Sequence, residues 1–250
     1  MALTSYDAYL SRFAQGYSRR VHFNVESLAM TAGFGRNEGY GKVWEYTIPT
    51  LETGVTSYRP VSLTIMGSVA STRYILFKYI DMGSLNIGTN AFTDGSAAPT
   101  ITECNVSRAA PLGLMAEITT AFNATPGTQS VTYVDQDNNT AEASTSTNFG
   151  NSAAVGSMQW IIMNSGDYAV LDVTTASRTG GTTPSGVMRF IGVTPICSLT
   201  NPTAYTPASV NMLTLNSPPM KLVAGDKLML VANDVSAKST MGSILFIGED

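Results

Sequence analysis

The chain reads as an all-β protein, an antiparallel β-sandwich of jelly-roll-like type with one short amphipathic helix, an N-terminal arm. Three observations predict this. From residue 21 onward, short β-branched, aromatic and apolar runs are separated by clusters of Gly, Pro, Asn, Asp and Ser. A helical period occurs once, over residues 5–15. No second helical pattern alternates with the strands, as the crossovers of a parallel sheet would require.

The helix comes first. Thr4 and Asp7 stand three apart like a capping box, with Asp in place of Glu or Gln. Tyr6, Tyr9, Leu10, Phe13 and Tyr17 then recur on one helical face, and Gly16 supplies the stop. Arg12, Arg19 and Arg20 add positive charge. Such a face docks either on its own domain or on a neighbouring subunit, so these eight residues are the candidate assembly contacts. Residues 1–42 carry five Lys/Arg (Arg12, Arg19, Arg20, Arg36, Lys42) against three acids (Asp7, Glu26, Glu38). The remainder carries nine against fifteen, so a weakly basic arm precedes an acidic body. The glycine-aromatic run Gly33–Lys42 suits a flexible connector, which divides the chain into an arm at 1–42 and a body at 43–250.

The body's predicted strands are 43–48, 61–69, 73–81, 101–107, 112–122, 128–134, 158–164, 168–175, 187–194, 210–215, 227–232 and 243–247. Alternation puts Leu114, Ala116, Ile118 and Phe122 on one face and Glu117 and Thr119 on the other. Ala169, Leu171 and Val173 oppose Asp172 and Thr174 in the same way. A dozen strands with turn signals between them fit a sandwich or jelly roll. Residues 83–100 and 135–157, rich in Gly, Ser, Thr, Asn and Ala, read as long loops. The second is also where two halves, 21–135 and 156–250, would join, although one continuous sandwich is the simpler reading.

Composition excludes several classes. Charged residues are 13% of the chain, against a usual share of roughly 25%. Hydroxyls and glycine fill the gap, with 31 Thr, 25 Ser and 22 Gly, and there are only five Lys. Hydrophobic residues at 44% and a net charge of −4 argue against disorder. No apolar run is long enough for a membrane helix, and the first residues lack the basic flank and apolar core of a secretory signal. An acidic pI near 5.0 is unlike the basic footprint of a nucleic-acid binder. Two cysteines, Cys104 and Cys197, suit reduced buried thiols better than a disulfide framework or a zinc site.

Little in the chain points to catalysis. The single histidine, His22, would have to serve any Ser-His-Asp arrangement, and no G-x-S-x-G elbow occurs. Asp135, Asp137 and Asn139 match the first ligand positions of a calcium loop, but Thr140 and Ser146 stand where Gly and Glu are needed. A hairpin turn explains that run better. The Gly33–Lys42 cluster lacks the Walker A spacing, with Arg36 and Val43 at the deciding places. The sequons at Asn105, Asn123 and Asn138 are of the kind a Thr-rich chain contains by chance. Trp44, Tyr46, Trp160 and Tyr168 could stack on a sugar, but both tryptophans fall in predicted strands, where core packing is expected. No enzyme activity, cofactor or metal is expected.

Four stretches carry a resemblance to a known group. Arg73–Met82 is an aromatic strand leading into a Gly-Ser loop, and Pro111–Asn138 is a strand, Thr-Pro turn, strand unit. Met163–Val173 has the form apolar, x-x-Gly-Asp, apolar, Val, and Leu222–Leu230 with the terminal Gly248-Glu249-Asp250 looks like a closing hairpin. Together they resemble small β-structured virion proteins of tailed bacteriophages, the capsid decoration and other head-associated proteins. The resemblance spans roughly residues 43–249 and rests on generic hairpin patterns. It implies a non-enzymatic structural role on the virion, assembled in the host bacterial cytoplasm. It also implies a major capsid protein or other virion protein as partner, and a homo-oligomer, a trimer by analogy. The alternative within the same reading is a tail, collar or fibre protein that binds a host glycan.

Overall fold

The computed structural model describes residues 6–25, 40–96, 101–103, 106–108, 113–122, 127–149, 154–180, 185–214, 220–233 and 239–250. Helix α1 (Tyr6–Ala14) precedes β1 (Ser18–Val25), β2 (Tyr40–Thr47), β3 (Ser57–Gly67), β4 (Thr72–Asn86) and β5 (Ala91–Asp94). Then come β6 (Ile101–Glu103), β7 (Val106–Arg108), β8 (Gly113–Thr120), β9 (Gly127–Asp135), β10 (Glu142–Ala143), β11 (Thr147–Phe149) and β12 (Ser157–Trp160). β13 (Val170–Thr179), β14 (Val187–Asn201), β15 (Ala208–Asn211), a single 3-10 turn (Met212–Thr214), β16 (Lys227–Ala232) and β17 (Thr240–Glu249) complete the order. The all-β class and the short N-terminal helix are as expected, and the pairings among these strands are antiparallel.

The long strands β4 and β14 pair along their whole lengths, from Thr72 opposite Asn201 to Asn86 opposite Val187. β14 also pairs with β8, β8 with β12, β12 with β2, β2 with β16, and β16 returns to β4. The hydrogen-bonded order therefore closes on itself as a six-stranded barrel, with β5 extending the wall beside β4. Side chains alternate across each strand of this wall. Ile75, Phe77, Met115, Met158, Ile191, Met229 and Val231 meet on the inner side.

A sheet lies on each outer side of the barrel. One has the order β1-β17-β3-β15 and packs Tyr58, Leu63, Ile65 and Phe246 against Tyr74, Leu76, Leu228 and Leu230. In the other, β9 pairs with β10 and β11 on one edge and with β13 on the other. Its Val131, Tyr133 and Val173 pack against Leu114, Ala116, Met188 and Phe190. The sandwich is thus sheet on barrel wall, twice over. Burial on both faces explains why Leu228–Ala232 and Phe190–Thr194 are buried without interruption. Each large side chain so buried contributes about 1.5–3 kcal/mol before entropy is counted.

Several expectations change. Residues 83–100 are not one loop, because β4 continues to Asn86 and returns as β5. Asn86 Oδ1 accepts from the N–H groups of Gly88 and Thr89 to close that turn. In 135–157, β10 and β11 pair with β9. Strands from before and after this segment pair directly (β4 with β14, β2 with β16), so it does not separate two sheets. The expected closing hairpin does not form, since β16 belongs to the barrel and β17 runs between β1 and β3. Two bulges in β13 break its alternation, so Val170, Val173 and Ala176 turn inward while Leu171 and Asp172 are half-buried.

At the N-terminal end, Gly16 (φ 83°) ends α1 in a Schellman motif, with Gly16 N–H bonding Phe13 O and Tyr17 N–H bonding Arg12 O. Ala8 packs on Val61 and Ile247, so α1 rests on the outward side of the β3 and β17 sheet. β1, which the strand assignment omitted, then pairs with β17 from Ser18 opposite Ile247 to Val25 opposite Thr240. The boundary at residue 42 therefore falls inside β2, after a strand that already belongs to a sheet of the body.

Candidate functional site

Of the eight candidate assembly contacts, the side chains of Arg12, Phe13, Tyr17, Arg19 and Arg20 are described, and they differ widely in exposure. Arg12 is buried, and its Nε donates to Gly248 O at 3.0 Å and its Nη2 to Gly54 O at 3.3 Å. Its Nη1 lies 3.7 Å from an Asp250 carboxylate oxygen, and its guanidinium carbon lies 3.7 Å from the Tyr17 ring centre. Arg12 thus clamps the helix to its own body, its donors meeting the carbonyls of Gly248 and Gly54. Tyr17 is half-buried against the core. Arg19 is half-buried and Arg20 exposed on β1, and Phe13 is 50% exposed. The backbone of Tyr6, Tyr9 and Leu10 is helical, but their side chains lie outside the described residues, as do Thr4, Gly33–Gly39 and Cys104.

One mouth of the barrel holds an ion cluster with members on four of its strands. On β8, Glu117 is wholly buried on the face that holds Met115. Its Oε2 accepts from Arg189 Nε of β14 at 2.5 Å, and Lys42 Nζ of β2 lies 2.6 Å from its Oε1. Glu45 of β2 bridges the same two cations, 3.1 Å from each, and Asp81 of β4 lies 3.8 Å from Arg189. Arg189 also sits over the Tyr79 ring at 5.3 Å. Burial pushes the Glu45 carboxyl up, but Arg189 and Lys42 together outweigh it and hold the group below the usual glutamate value. Burial likewise lowers Arg189, and Glu117 and Glu45 more than restore it.

Sequence alternation placed Glu117 opposite the apolar face of its strand, which is correct. It gave no sign that the opposite face was the inside of a barrel. No local motif links Lys42, Glu45, Glu117 and Arg189, because their proximity is made by strand pairing alone.

The other mouth is a hollow of about 400 Å³, lined by Tyr40, Arg73, Ile75, Phe77, Trp160 and Pro195 among others. Trp160 meets Phe77 edge-on at 5.8 Å and Tyr40 at 6.4 Å. Trp44, in contrast, stacks between Phe23 and Tyr46 in the core, as expected, while Tyr168 is exposed.

The remaining chemical candidates have structural explanations. His22 is exposed in the middle of β1, opposite Ser243, and the hollow it lines contains no acid. The Asp135 carboxylate accepts from the N–H groups of Asp137 and Asn139 at 2.8 and 2.9 Å and from Asn139 Nδ2 at 2.8 Å. With Asn138 at φ 65°, this is the hairpin turn expected in place of a calcium loop. Cys197 is buried and free, and burial pushes its thiol up to about 12. Among the described residues no helix is long and apolar enough to cross a membrane. Large apolar side chains stand exposed at Phe13, Val155, Ile162, Tyr168, Tyr205 and Met241.

No protein-family model and no curated protein matches the chain. The solved structures it is similar to include capsid proteins of viruses. Apo chimpanzee polyomavirus VP1 is 9% identical with a TM-score of 0.29, over 94% of this chain and 96% of that one. The infectious bursal disease virus VP2 subviral particle is 10% identical with a TM-score of 0.17, over 93% and 80%. The decameric BFDV capsid protein is 9% identical with a TM-score of 0.17, over 92% and 94%. None of these scores reaches the level of a shared fold.

Proposed function

We propose that this chain is a non-enzymatic virion structural protein, a capsid decoration or cement protein. It stabilises a phage head by binding the capsid surface and its own copies. The observation that carries the reading is a charge-poor surface that nonetheless exposes large side chains such as Phe13, Tyr168, Tyr205 and Met241. A chain with 13% charged residues and five Lys has few charges with which to keep copies apart. A layered antiparallel body with both faces of its barrel wall buried supplies a rigid frame for such contacts. The mechanism is adhesive: each copy buries apolar area on its neighbours, and specific interfaces bury on the order of 1,600 Å² in total.

The test is the protein's copy number in purified particles, read by quantitative gel or mass spectrometry and located by cryo-EM. Decoration requires copies in the hundreds spread over the head. A handful of copies at the tail would replace this reading with a tail or fibre role, and absence from particles would overturn both.

A further inference from the structure

The aromatic mouth of the barrel has the build of a small-ligand site, which the adhesive role does not use. Among the described residues β8 pairs with β14 as far as Gly113, opposite Val193. Among the described residues no strand pairs with the β14 residues Pro195–Ser198 on that side, and Pro195–Ser198 line a hollow with Trp160 of β12 and Tyr40 of β2. This hollow of about 400 Å³ lies within the usual size range of ligand pockets. Its walls are Ile75, Phe77, Trp160 and Pro195, and Arg73 stands at its rim.

Arg73 supplies the polar half of the argument. It is exposed, and its backbone N–H donates to Asn233 Oδ1 at 2.8 Å. Among the described residues no carboxylate pairs with its guanidinium, and none of the residues lining the hollow is acidic. An unpaired guanidinium beside flat aromatic walls selects a planar apolar body that ends in an anion.

We infer that this mouth binds a small aromatic carboxylate, its ring against Trp160 and Phe77 and its carboxylate on Arg73. The experiment uses the full chain, titrated by calorimetry and by tryptophan quenching. The probes are naphthoate, the neutral naphthalene methanol, and glucuronate as an anion without an aromatic body. Expected is one saturable naphthoate site per chain at about 0.1–1 mM, in keeping with so small a ligand. Arg73→Gln should weaken it about tenfold and leave naphthalene methanol unchanged, while Arg73→Lys keeps most of the affinity. Because Arg73 is exposed, an unchanged melting curve will confirm that the variant folds. The inference is overturned by no saturation at ten millimolar, by equal naphthoate affinity in Arg73→Gln, or by glucuronate binding as tightly as naphthoate.

Discussion

Glu117 is the residue on which the ionic mouth depends. Its carboxylate lies 2.5 Å from Arg189 and 2.6 Å from Lys42, and its side chain is 1% exposed. Glu117→Ala leaves two cations facing each other without it, and breaking a buried pair costs about 3–5 kcal/mol. A fall of that size in the urea unfolding free energy is expected, and a loss below about 1 kcal/mol would mean that the cations find other partners. Glu45 sets the pH dependence of the same cluster. A depressed carboxyl contributes stability that is fully present above the ordinary glutamate value, about 4.3. That contribution is lost as pH falls through the lower folded value. Glu45→Gln should therefore flatten the acid limb of a plot of unfolding midpoint against pH. At Gly113 an added Cβ would meet the Trp160 ring at 2.6 Å. Gly113→Ala should destabilise by about 1–3 kcal/mol and shift tryptophan emission. Of these residues, the sequence allowed Glu117 to be assigned a side of its strand. That the side was an interior depends on β14 and β2, from 72 residues after it to 72 before it.

At the level of elements, α1 and β1 join the body by different means. The helix is tied by Arg12, whose donors reach Gly248 O and Gly54 O, and the strand by its register with β17. Arg12→Ala leaves carbonyls short of a charged donor and should lower stability by about 1–3 kcal/mol, measured in urea. Deleting residues 1–16 should leave a folded body with a lower midpoint. Deletion through Val25 strips β17 of a neighbour and should give aggregating material, because it bares a strand edge beside Phe246. A truncation at 16 that fails to fold would make α1 part of the core. The helix was legible because its period and its glycine stop are local. β5, β10 and β11 were not legible. They have only four, two and three residues, and what orders them is a distant strand's hydrogen bonds, not their own propensity. The bulges of β13 hid its inward set for a related reason, since one extra residue reverses the alternation that sequence reading relies on.

For the whole molecule, the adhesive reading expects self-association. Sedimentation at tens of micromolar should show a species larger than 26.5 kDa, with a trimer expected by analogy alone. A compact monomer both in solution and on the particle would count against it. The closure of the barrel also governs when this protein becomes a protein at all. β2 reaches its neighbour β16 only after residue 227, and the sheet on the barrel's flank has β17, residues 240–249, running through its middle. At roughly 5–20 residues per second, the stretch from β2 to the end of β17 alone takes on the order of 10–40 s to synthesise. Until then the chain holds strands whose partners do not yet exist. Folding must therefore be late and collective, on the slow side of the range for such distant pairings. A copy emerges either as a finished body or as an unfinished chain whose open edges are a task for chaperones.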